Sequence, residues 1–71
     1  MIDKAKALEI QALALRAIVA LTDALDIAVA KAPPETLASL KRGVGLSIGA
    51  IDTELLSVLY RLYPEIDHLK T

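Results

Sequence analysis

Apolar positions recur along this chain at helical spacing. In the second half, Leu37, Leu40, Val44, Ile48, Ile51, Leu55, Val58 and Leu62 step by 3, 4, 4, 3, 4, 3 and 4 residues, the rhythm that keeps side chains on one face of an α-helix. In the first half, Ala7, Ile10, Ala14, Ala17, Ile18, Leu21, Leu25 and Ala28 gather on one side of a helical wheel drawn at about 100° per residue. Two long helices are predicted, at about 3–31 and about 35–63.

The punctuation agrees with that division. No Gly or Pro interrupts 3–31, and Ala-rich sequence favours a helix there. Ala32-Pro33-Pro34 forms the turn at 32–34, because the residue before a proline is pushed out of the helical region, while Pro34 suits a first helical position and Glu35 the positive end of the helix dipole. So short a connection makes the helices antiparallel. Gly43, Gly45 and Gly49 each cost about 1 kcal/mol against Ala inside a helix and could mark a break near Lys41 to Gly45. The stripe keeps its phase across them, which favours one continuous helix. Tyr63-Pro64 ends it and leaves a tail at 64–71, a loose helical turn held by Ile66 and Leu69.

The apolar pattern is wider than one hairpin can cover. On the first helix Leu8, Leu15, Val19 and Ile27 lie off the inner face, and the polar strip shrinks to Glu9, Arg16 and Asp23, with Asp26 beside it. Ordering costs roughly 1.5 kcal/mol per residue, which the burial available to a lone hairpin hardly matches. The expected architecture is therefore all-α: an antiparallel helical hairpin assembling into a four-helix-bundle homodimer, or a higher homo-oligomer. A protein partner that supplies the missing helices is the rival. The self-association core is expected at Ala7, Ile10, Ala14, Ile18, Leu21, Leu25 and the stripe from Leu37 to Leu62 named above. Gly45 and Gly49, four residues apart, would mark a close helix crossing in the assembly. Leu56, Tyr60 and Tyr63 lie together beside the stripe and form the candidate partner patch, since Tyr is enriched in interface hot spots.

Composition narrows the function classes. The chain has 71 residues and 7.6 kDa, a formal charge of -1, and no Cys, Phe or Trp. One domain is all it can hold. The absence of Cys excludes disulfides and zinc-thiolate sites, and the balanced charge excludes the basic footprint of a typical nucleic-acid binder. Lys41-Arg42, joined only by Arg61, is too little to grip a phosphate backbone. The longest uncharged run, Gly43 to Ile51, is too short for a bilayer span, and the charged N-terminus does not read as a secretion signal. A cytoplasmic protein is expected.

No motif carries chemistry. Gly43 to Gly49 has neither the spacing nor the preceding strand of a nucleotide-binding loop. Asp52 and Glu54 point to different sides of a helix, the serines at 39, 47 and 57 fall off the main stripe, and His68 reads as a solvated tail residue that Glu65 could reach. No catalytic, cofactor-binding or metal residue is assigned and no cofactor is expected. The expected function is a small non-enzymatic interaction module, such as an adaptor, regulatory subunit or small chaperone. The alternatives are a bundle that holds an apolar small molecule or lipid, and more remotely a nucleic-acid-associated regulator.

Overall fold

The structure, a computed structural model, describes residues 2–67. It is all-α, with no strand among the described residues. Helix α1 spans Lys4–Lys31. Asp3 starts it: extended at φ -81° and ψ 172°, it accepts a hydrogen bond at 2.8 Å from the Lys6 backbone N–H, satisfying a donor that the first turn leaves open. Lys31 lies in the last turn, where a cation suits the negative end of the dipole. The chain leaves the helix at Ala32, extended, whose N–H still reaches Ala28 O at 2.8 Å.

Pro33 flanks the next helix and Pro34 occupies its first position, where a missing N–H costs nothing. Helix α2, Pro34–Ala50, runs through all three glycines without a break, and no glycine adopts positive φ. Its axis continues into a six-residue π-turn, Ile51–Leu56, then helix α3, Ser57–Leu62. Tyr63 leaves the helical region, as a residue before proline must, and Pro64–Ile66 forms a single 3-10 turn. His68 and Leu69 lie outside the described residues.

The π-turn corrects the expected single stripe. A π-turn hydrogen-bonds from i to i+5 and holds one residue more than an α-turn, so everything after it is set back by about one α-helical step of 100°. The inward face therefore changes membership. Leu37, Val44, Ile48 and Ile51 are half-buried along α2 and into the turn, but beyond it Leu56, Leu59, Tyr60 and Tyr63 take the inner positions. Leu55, Val58 and Leu62, in phase with the earlier stripe, are left 40%, 40% and 37% exposed, and Leu40 is exposed as well.

Helix α1 buries Ala7, Ala14 and Ala28 with Gln11, while Ile10, Ile18, Leu21 and Leu25 are half-buried. Ala17, assigned to the inner face by the wheel, is exposed, so the true face is rotated toward Gln11. The core is a small cluster of Ala7, Ala14, Leu56, Leu59 and Ile66, packed around by Ile2, Ile10, Leu15, Ile18, Ile51, Tyr60 and Tyr63. It lies wholly at the end of the hairpin where the chain termini meet. The molecule is elongated, 45 × 24 × 16 Å, with a radius of gyration of 14.7 Å, against about 11 Å for a compact domain of this length.

Candidate functional site

Two features distinguish the molecule: a polar clamp at the terminal end and a large apolar surface elsewhere. In the clamp, the Gln11 side-chain amide donates to Ile66 O at 2.8 Å and to Tyr60 Oη at 3.2 Å. Tyr63 Oη donates to Ile2 O at 3.0 Å. Lys4 Nζ lies 3.4 Å from a Glu65 carboxylate oxygen, with both side chains about half exposed. The Glu65 carboxyl is held below the ordinary glutamate range, chiefly by its own backbone N–H and further by Lys4. Among the described residues no buried side-chain polar atom is left without a partner, as a stable polar cluster requires.

The clamp relocates the candidate partner patch. Leu56 is 3% exposed and belongs to the core; Tyr60 and Tyr63 are half-buried, with both hydroxyls engaged inside the chain. The π-turn explains the difference, since straight helical geometry would have pointed these residues outward. Gln11 was missed by sequence reasoning, although the progression Ala7, Gln11, Ala14, Ile18 put a polar side chain in the middle of an inner face.

Large hydrophobic side chains recur over the rest of the surface. Ten large hydrophobic side chains are exposed among the described residues, including Leu13 and Ile27 on α1 and Leu46 on α2. The accessible area is 5168 Å², against about 4,300 Å² for a compact monomer of this mass, an excess of about 900 Å². A groove of about 400 Å³ runs between the helices, lined by Leu15, Ile18, Ile48, Gly49, Asp52, Leu56 and Tyr60. A Cβ added at Gly45 or Gly49 would meet nothing within 4 Å, so neither glycine marks a close crossing within the hairpin.

The polar motifs stay apart. Lys41 and Arg42 are exposed on α2, and Asp52 and Glu54 are exposed in the π-turn. No group of three or more His, Asp or Glu side chains is placed to hold a metal among the described residues. The helical stretch Pro34–Leu62 is, by length and composition alone, long and apolar enough to cross a membrane, with mean hydropathy 1.3 in its best window and 11% of that window buried. Sequence reading from uncharged runs had not registered it. The chain matches no protein-family model, no curated protein and no solved structure.

Proposed function

We propose that this chain is a non-enzymatic interaction module that self-associates through its apolar surface, two hairpins packing into a four-helix bundle. The observation that carries the reading is the excess accessible area, about 900 Å² on compact-monomer scaling, close to the roughly 800 Å² that each partner contributes to an interface of standard size. Such a protein works in water, in the cytoplasm, and presents its assembled surface to a larger protein as an adaptor, regulatory subunit or small chaperone. Asp52 and Glu54 favour that setting over a membrane span, since a carboxylate at the centre of a spanning helix costs about 2.5 to 3.5 kcal/mol. In the bundle, Ile10, Ile18, Leu21 and Leu25 of α1 and Leu37, Val44, Ile48 and Ile51 supply the shared interior, and Gly45 and Gly49 admit a helix of the second copy.

Sedimentation equilibrium from low micromolar to near-millimolar concentration, with circular dichroism at each concentration, tests this. A helical dimer is expected across most of the range. A fully helical monomer throughout would refute it.

The groove between Leu15, Ile18, Ile48 and Leu56 favours a second reading, a site for an apolar small molecule. Its volume of about 400 Å³ lies in the usual ligand range, but its polar groups are few and Asp52 sits in its wall. Small-molecule mass retained in a native mass spectrum of the protein from its own host would support this reading in place of the first.

A further inference from the structure

We propose that the π-turn is a two-register switch within the single chain. In a minor state Ile51–Leu56 closes into ordinary α-helix, α3 turns by about 100°, and Leu55, Val58 and Leu62 replace Leu56, Leu59, Tyr60 and Tyr63 against α1. Nothing in this depends on a second copy. Both registers are written in the sequence. The stripe along α2 runs on into Leu55, Val58 and Leu62 when the helix is α throughout, and the row that the π-turn buries stands one residue later. Helix α1 offers Ala7 and Ala14 to this region, side chains too small to mould a pocket around one row alone.

The backbone can be satisfied in either register. Ser57 N–H donates to Asp52 O, five residues back, and so abandons Thr53 O, its partner in an α-helix. The Ser57 hydroxyl donates to Thr53 O in its place. Closing the π-turn returns the amide to Thr53 O and leaves the hydroxyl to water, so the change strands no backbone group. Side chains set the balance instead. The observed register engages the Tyr60 hydroxyl with Gln11 and the Tyr63 hydroxyl with Ile2, and it seats Ile66 under the Gln11 amide. Together these contacts latch α3 and the last turn to α1. Rotation releases the latch, keeps the helix, and exchanges an exposed aliphatic row for one that carries two tyrosines. Losing the latch makes the rotated state the minor one, on the order of 1% of molecules.

Relaxation-dispersion and saturation-transfer NMR on the dilute full-length chain reads such a state. One exchange process shared across residues 51–66 is expected. Its minor-state Cα shifts stay helical through Leu62, while the 19F signals of 3-fluorotyrosine at positions 60 and 63 move toward solvent-exposed values. Gln11→Ala cuts the latch and is expected to raise the minor population about tenfold; Ser57→Ala removes the stand-in hydroxyl and is expected to raise it about threefold. Deleting Thr53 sets Asp52 four residues before Ser57, makes the buried register an α-helix, and is expected to abolish the exchange. Minor-state shifts of random coil would show local unfolding in place of rotation and overturn the proposal. So would exchange confined to Pro64–Ile66, exchange that survives the Thr53 deletion, or no exchange in either Gln11→Ala or Ser57→Ala.

Discussion

The two ends of the hairpin are built differently. At the terminal end Leu56, Leu59 and Ile66 pack against Ala7 and Ala14, and Gln11 fastens the last turn to α1. At the turn end Ala28 is buried, and α2 contributes no buried residue at all. The first end is finished within one chain, whereas the second offers half-buried Leu37, Val44 and Ile48 with little to cover them. Before the π-turn the inward residues of α2 stay half-buried, whereas beyond it Leu56 and Leu59 are buried in one cluster with Ala7 and Ala14 of α1. The buried core and the sparsely covered stretch of α2 therefore belong to different parts of one short sequence.

The sharpest way to break this contrast is to delete one residue. Removing Thr53 takes the extra residue out of the π-turn and lets a straight α-helix carry Leu56, Leu59, Tyr60 and Tyr63 inward, so the chain is expected to remain helical with cooperative thermal unfolding. Removing Val58 rotates Leu59, Tyr60, Tyr63 and Ile66 away from Leu56 and is expected to abolish the cooperative transition. Equal tolerance of the two deletions would show that the π-turn sets no register.

Truncation comes next in size. Leu56→Ala is expected to destabilise by about 2 to 4 kcal/mol in urea unfolding, and Val44→Ala at the turn end by less than about 1 kcal/mol in dilute, monomeric protein. Similar losses at the two sites would erase the contrast between the ends. Gln11→Ala leaves Ile66 O without its buried donor and should cost about 1 to 3 kcal/mol, with faster amide exchange at the last turn as its local sign.

Gly45→Ala and Gly49→Ala work in the other direction. Open space surrounds both positions, so each should add up to about 1 kcal/mol to helix stability in dilute protein. If a second copy crosses close to them, the same substitutions weaken the dimer, and comparing unfolding at low and high protein concentration separates the two effects. Smallest of all is the pH dependence of the Lys4–Glu65 contact. A carboxyl held below its ordinary range in the folded chain stabilises it above that range and loses the contribution as pH falls through the folded value. A slight drop in thermal midpoint on acidification, absent in Glu65→Gln, is the expected record.

Local physics was legible without coordinates. The extended Ala32, Pro34 at the first helical position and the stop at Tyr63-Pro64 each follow from steric or hydrogen-bonding rules that act over a few residues. The stripe was legible as a pattern but not as a surface, because beyond Ile51 the chain carries two adjacent apolar rows: Leu55, Val58 and Leu62, and Leu56, Leu59, Tyr60 and Tyr63. Helical periodicity ranks the first row as the inner one. What it omits is that the second row contains tyrosines whose hydroxyls find partners on Gln11 and Ile2.

By itself, then, the order of residues determined an all-helical hairpin, its turn, its helix ends and an excess of apolar surface, since these depend on backbone sterics, propensity and composition. Only the tertiary structure decided which apolar row of α3 turns inward and which polar side chain fastens the termini. That choice depends on contacts between residues some fifty positions apart, such as Gln11 with Tyr60 and Ile66. A rotation of about 100° in the π-turn exchanges one apolar row for another that helical periodicity ranks behind it.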